Sequence, residues 1–213
     1  MTLASCNPKT DSPILPLILA STSTTRRELL QRLALPFECI APEVDESAQA
    51  GETPSQLAYR LAEQKAAAAA QQYPDAWVIG SDQVASQFDL ARGQAFGELL
   101  GKPLTEARAI EQLQQFSGQT LRFYTGVSLQ CAAIAHVDTA VVEFSVSFRT
   151  LSLAEIQRYV ALEQPLYCAG SFKCEGLGIS LFEQMQGEDL TALMGLPLLR
   201  LCQMRLQHGQ QRG

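Results

Sequence analysis

A chain of 213 residues, 46% hydrophobic and 18% charged, is long enough for one large domain or two closely joined lobes around a buried core. Its formal net charge of −6 excludes a general nucleic-acid binder, which needs many Lys and Arg to neutralise phosphates together, yet leaves room for a small phosphorylated ligand held by a local group of cations. No apolar run approaches the roughly 18 residues of a membrane span, and the start lacks the basic-then-apolar order of a signal peptide, so the expectation is a cytoplasmic protein with no membrane partner.

The six cysteines (Cys6, Cys39, Cys131, Cys168, Cys174, Cys202) contain no C-x-x-C pair, which fits buried free thiols better than a zinc site or a disulfide framework. With only His136 and His208 present, a histidine-dependent triad would have to draw on a hairpin or a tail residue. Lysine is scarce: Lys9, Lys65, Lys102 and Lys173 stand against twelve arginines.

Taken in order, residues 1–13 read as a flexible leader and the fold as beginning near Ile14. Residues 17–20 (Leu17-Ile18-Leu19-Ala20) read as a buried strand that runs through Ser21-Thr22-Ser23-Thr24-Thr25 into a helix over residues 26–33, whose first turn carries Arg26 and Arg27. Two cations beside the positive end of a helix dipole are disfavoured unless an anion joins them. Hydroxyls and unpaired backbone N–H groups at such a junction suit a phosphate, although a plain Ser or Thr cap accounts for the same composition. Residues 37–40 make a short second strand, and residues 41–47 hold Glu43, Asp45 and Glu46 in a loop. That cluster reads either as a solvated acidic turn or as oxygen ligands for a hard divalent ion.

Thr53-Pro54-Ser55-Gln56 is a capping box with proline at the first helical position, opening a long helix with an alanine run to Ala70. Lys65 lies in it, facing either inward to a site or out to solvent. Residues 77–80 read as a central strand ending at Ser81-Asp82-Gln83. In open α/β sheets ligands bind beyond the strand carboxyl ends, so Asp82 is the first candidate for an acid or base, against a turn-capping role.

Residues 86–100 lack a clean period and read as a hairpin or extended loop before Gly101-Lys102-Pro103. A helix opens at Thr105-Glu106 and stops at Ser117-Gly118. Alternating patterns then predict an antiparallel pair over residues 119–130 and 137–148. Ser152-Leu153-Ala154-Glu155 caps another helix, to about residue 162. Three glycines around Lys173 and Glu175 in residues 169–178 read as a pocket-lining loop. A strand over residues 179–182, a turn at Gly187, a last helix over residues 196–207 and a frayed tail from His208 complete the pattern.

With these segments in place, the chain resembles the Maf family of nucleoside triphosphate pyrophosphatases, in its 7-methyl-GTP branch, over about residues 17–207. The likeness is carried by Leu19-Ala20-Ser21-Thr22-Ser23 with Arg26-Arg27, residues 41–46, Ser81-Asp82-Gln83, Gly101-Lys102-Pro103, Phe123-Tyr124-Thr125-Gly126, residues 169–176 and Gly195-Leu196-Pro197. It implies an α/β fold of the Maf/inosine-triphosphatase-like kind: a long twisted mixed sheet flanked by helices, with two lobes and a central cleft in one domain over residues 14–207. It also implies hydrolysis of the α–β phosphate bond with a divalent metal, Mg²⁺ or Mn²⁺, and by analogy a homodimer. Asp82 would be the proton acceptor and Glu46 its metal or water partner, both as metal ligands. Ser21, Arg26, Arg27, Lys65 and Lys102 would contact the triphosphate, and Thr25, Gln83 and Glu175 would set base preference.

Glutamate at 175 suits guanine, whose N1–H and exocyclic amine are donors, and favours a base made cationic by N7 methylation. Two departures stand out: Thr24 and Thr25 replace a proline and an aromatic, and residues 86–100 are longer than usual. The alternatives are a pyrophosphatase of the dTTP/UTP type, a non-catalytic nucleotide-binding protein linked to cell-division control, and a phosphatase releasing orthophosphate.

Overall fold

The computed structural model describes residues 15–89, 91–96 and 99–207. The expected leader over residues 1–13 and the tail from residue 208 lie outside them. Seven strands form one mixed sheet in the order β2-β1-β3-β5-β6-β7, with β4 paired to β3 beside that path. The parallel part is β1 (Leu17–Ala20) between β2 (Glu38–Ile40) and the start of β3 (Trp77–Asp89). Beyond it the sheet is antiparallel, through β5 (Thr120–Cys131), β6 (His136–Phe148) and β7 (Phe182–Gln186), as the alternation of β5 and β6 predicts.

Six helices flank it: α1 (Thr24–Gln31), α2 (Pro54–Gln72), α3 (Glu106–Phe116), α4 (Leu153–Glu163), α5 (Leu190–Leu193) and α6 (Leu198–Gln207). The two predicted capping boxes are present in full, at Thr53 with Gln56 and at Ser152 with Glu155. No helix among the described residues is long and apolar enough to cross a membrane, and Cys39, Cys131, Cys168, Cys174 and Cys202 are free thiols.

Alternation along β3 and β5 divides the molecule. On one face Trp77, Ile79, Val127 and Leu129 pack against α1 and α6 through Leu29, Leu30, Leu201 and Met204. On the same face, further along the strands, Ala85, Leu121 and Phe123 pack against α3 and α4 through Leu113, Phe116, Ile156 and Val160. Between these cores the same row of positions is polar, with Ser81, Gln83 and Thr125. The opposite face is covered by α2, whose Ala58, Ala62, Ala66, Ala69 and Ala70 are buried. The polar band lies between these two clusters.

Two expectations shift, and one pair of alternatives is resolved. The central strand does not end at Gly80: β3 continues to Asp89, pairing with β5 from Val78↔Gln130 to Gln87↔Leu121, so Asp82 lies in mid-strand opposite Gly126. Residues 177–181 form a 3₁₀ turn, and the strand begins at Phe182. Residues 86–100 supply the end of β3 and the short β4 (Gln94–Phe96), a hairpin with register Gln87↔Phe96.

Candidate active site

The site begins where β1 stops. Ala20 pairs with Gly80, and the next strand on that edge of β3 does not pair until Gln87, so the edge from Ser81 to Ser86 is open to other groups. The carboxyl end that makes the crevice is therefore that of β1, and Asp82 lies beside it in a continuous strand. Leu100 donates its N–H to Ala85 O at 2.9 Å along this edge, which brings Lys102 to the same rim.

On the other side of β3, α2 approaches unusually closely. A Cβ on Gly80 would lie 2.2 Å from Ala62 O, and one on Gly126 would lie 2.1 Å from Ala58 O, so only glycine fits at either position. The close approach turns Lys65 inward, resolving its alternatives: Lys65 and Asp82 are 6% and 8% exposed. Lys65 Nζ donates to Asp82 Oδ1 at 2.6 Å and lies 2.6 Å from Glu46 Oε1. The acidic loop thus contributes one of its three carboxylates to the cluster. Hydrogen bonding from Lys65 is the main cause of a lowered Glu46 pKa, which Lys65, Lys102 and Arg26 lower further by their charge while burial opposes them.

The turn after β1 contributes next. Ser23 caps α1, its hydroxyl accepting the N–H of Arg26 at 3.3 Å, and the buried Ser21 hydroxyl accepts the N–H of Ser23 at 3.1 Å. Arg26 is half-buried and donates Nε–H to Gly195 O at 2.8 Å. Desolvation lowers its pKa, and the charges of Asp82 and Glu46 counteract that. Arg27 is exposed on the same first turn and Thr25 half-buried beside it. Neither makes a side-chain bond among the described residues.

Glu175 and Lys102 are both exposed, and both act on the half-buried Cys168: Lys102 favours its thiolate, while Glu175 and above all burial raise the thiol pKa. Burial, then Glu175, pushes the Cys174 thiol to about 12. The 169–178 loop is pinned to α4 by Lys173, whose N–H donates to Tyr159 Oη at 3.0 Å and whose Nζ donates to Glu163 O at 2.6 Å, with Leu177 N–H donating to Glu163 Oε1 at 2.8 Å.

Gln83 stands apart from the other candidates. Its side chain projects from the opposite face of β3 to Asp82, and Nε2 donates to Thr125 Oγ1 (3.1 Å), Ala192 O (2.9 Å) and Leu193 O (3.0 Å). Sequence reasoning assigned no role to Ser81, Thr125 or Gly195. The buried Ser81 hydroxyl shares its one proton between Gly126 O at 2.8 Å and Gly195 O at 3.0 Å, and Gly195 has φ +107°, open only to glycine. Its place in Gly195-Leu196-Pro197 was the one available signal. The two concavities beside the acidic loop are lined by Arg60, Gln49 and their neighbours and not by Glu46 or Asp82.

A strand-to-helix turn bearing cations and two carboxylates bridged by a buried lysine thus come together in one site of an α/β protein. The model for the family described as Maf-like protein matches residues 16–208, and the chain belongs to that family. It is 53% identical over 191 residues to the nucleoside triphosphate pyrophosphatase of Acinetobacter baylyi (strain ATCC 33305 / BD413 / ADP1), covering 90% of this chain and 94% of that protein. Among solved structures it is similar to the Ham1 protein of Staphylococcus aureus (TM-score 0.47, 16% identity, 91% of this chain and 99% of that one) and a HAM1 protein from Coxiella burnetii (TM-score 0.41, 17% identity, 63% and 73%).

Proposed function

We propose that this protein is a nucleoside triphosphate pyrophosphatase that hydrolyses the α–β phosphate bond of 7-methyl-GTP, releasing the monophosphate and pyrophosphate. The class of reaction is supported by membership of the Maf family and by the Acinetobacter relative of that name. The observation that carries the mechanism is the Lys65 bridge between Asp82 and Glu46, with Arg26 acting on both carboxylates and Lys102 on Glu46.

In this reading Ser21, Arg26, Arg27, Lys65 and Lys102 receive the triphosphate and neutralise charge gathering on the departing pyrophosphate. Asp82 accepts a proton from the attacking water, and Glu46 orients that water from the loop side. A divalent cation fits the donor set. Lys65 already brings one oxygen of each carboxylate to 2.6 Å from a shared positive centre, and two carboxylates plus phosphate oxygens and water suit Mg²⁺ or Mn²⁺. No group of three or more metal-ligating side chains occurs among the described residues, so the phosphates would complete the shell. When bound, such an ion would make water more acidic and offset phosphate charge. In this reading the exposed Glu175 accepts from the guanine edge and attracts the cationic methylated ring, and Thr25, at the start of α1, contributes to base preference.

The test is product identification with 7-methyl-GTP, dTTP, UTP and GTP in Mg²⁺ or Mn²⁺. Monophosphate and pyrophosphate, fastest from 7-methyl-GTP, are expected, and Glu175→Gln should narrow the preference. Orthophosphate release, or saturable binding without any product, would overturn the reading.

A further inference from the structure

We propose that residues 189–198 form a clamp that sets the direction of the Arg26 guanidinium, and that Gln83 is a positioning residue acting through this clamp. The inference rests on the reading of Arg26 as a phosphate contact.

Among the described residues, the side chain of Arg26 has one hydrogen bond, from Nε to Gly195 O; the carboxylates of Asp82 and Glu46 act on it through charge without forming an ion pair. An arginine held only at Nε keeps both terminal nitrogens for a ligand, and their direction is then set by the carbonyl that holds Nε. That carbonyl belongs to a turn fixed from two sides. From below, the sheet reaches it through Gln83 Nε2 to Ala192 O and Leu193 O, Thr125 Oγ1 to Ala192 O at 2.8 Å, and Ser81 Oγ, which shares its one proton between Gly195 O and Gly126 O. Ala192 O also accepts the Gly195 N–H at 3.0 Å, so the side chains and the backbone hold the same turn. From above, the buried Asp189 accepts from Thr191 N–H and Leu199 N–H, both at 2.9 Å, tying the starts of α5 and α6 together. The route from Gln83 to the phosphate site therefore runs through Gly195 and Arg26.

Inorganic tripolyphosphate, which has no base, separates the roles. As a competitive inhibitor of 7-methyl-GTP hydrolysis, it should bind about tenfold more weakly to Gln83→Leu and to Arg26→Ala, and no more weakly to the double variant than to Arg26→Ala alone. The ratio of kcat/KM for 7-methyl-GTP over dTTP should be unchanged in Gln83→Leu. Thr125→Val, which removes one clamp bond without touching Gln83, should weaken tripolyphosphate binding in the same direction and serves if Gln83→Leu folds poorly. A changed base ratio with unchanged tripolyphosphate inhibition, or losses that add in the double variant, would overturn the clamp. Unaltered inhibition in Arg26→Ala would instead remove the phosphate role of Arg26 on which it rests.

Discussion

Replacing Lys65 with methionine tests the electrostatic centre of the site. Methionine keeps most of the apolar length and removes the ammonium, so the perturbation is one of charge. In the folded protein that ammonium lies 2.6 Å from Asp82 and 2.6 Å from Glu46, and both Lys65 and Asp82 are buried. Removing one member of a buried pair leaves the other uncompensated, which typically costs about 3–5 kcal/mol. Glu46, with 61% of its side chain exposed, is rehydrated and adds at most about 1 kcal/mol. Because Asp82 keeps 12% of its side chain exposed and Arg26 still acts on it, the net loss should fall at roughly 2–4 kcal/mol. For a chain of this length each kcal/mol lowers Tm by about 2–4 °C, so calorimetry at pH 7 should find Lys65→Met melting roughly 5–15 °C below the parent. The double variant Lys65→Met/Asp82→Asn should recover most of that, since an amide of the same shape needs no counter-charge. A single variant melting within about 2 °C of the parent, or a double variant no better than the single, would refute the reasoning.

Asp82→Asn should fold, bind nucleotide and lose roughly 10²–10⁴-fold in turnover, the usual worth of a positioned proton acceptor; undiminished pyrophosphate release would contradict the role. Gly126→Ala places a Cβ 2.1 Å from a helix carbonyl and 2.8 Å from Ala62 Cβ, so α2 must move off the sheet; a lower urea midpoint and a lengthened Lys65–Asp82 bond in a crystal structure should follow. Glu52, just before α2, is held at about 2, first by the Arg60 side chain and then by the Gln49 N–H. A depressed carboxyl stabilises above its ordinary pKa and loses that contribution as pH falls through its folded one. The Tm gap between the parent and Glu52→Gln, measured by calorimetry, should therefore hold from pH 8 to 5 and shrink between about 4.5 and 2.

What could be read in the sequence follows from how local the signal is. The capping box at Thr53 and Gln56 needs only four residues, and both of its reciprocal bonds form. The alternation of β5 with β6 is equally legible, because one face of each strand is packed. The continuation of β3 was not, because a strand buried on both faces has no alternation to read, and Gly80-Ser81-Asp82 has the composition of a turn. The first turn of α1 was read as starting at Arg26, whereas Ser23 caps it and Thr24 and Thr25 occupy the first two positions. Candidates from separate segments, namely Glu46, Lys65, Asp82 and Arg26, do converge. The clamp around Gly195 joins Arg26 to a residue 169 positions later, and no local pattern announces a contact of that range.

The contact between α2 and the sheet is shaped by placement more than by packing. Its buried helix face is largely alanine, and it meets two strand-interior glycines, each of which weakens a strand by about 0.5–1 kcal/mol relative to alanine. The core under α3 and α4 is built differently, with Phe123, Phe148, Phe172 and Phe182 meeting edge-on at centroid separations of 4.9–5.8 Å. Aromatic side chains bury far more area than alanine, so the α3/α4 core is the stronger source of stability. The weaker contact is the one that bears Lys65. A larger side chain at Gly80 or Gly126 would lift α2, and the ammonium with it, away from a carboxylate fixed in mid-strand. The glycine–alanine seam is therefore better understood as the spacing element of the charge cluster than as a second-rate core, since the 2.6 Å bond between Lys65 and Asp82 exists only while the seam stays closed.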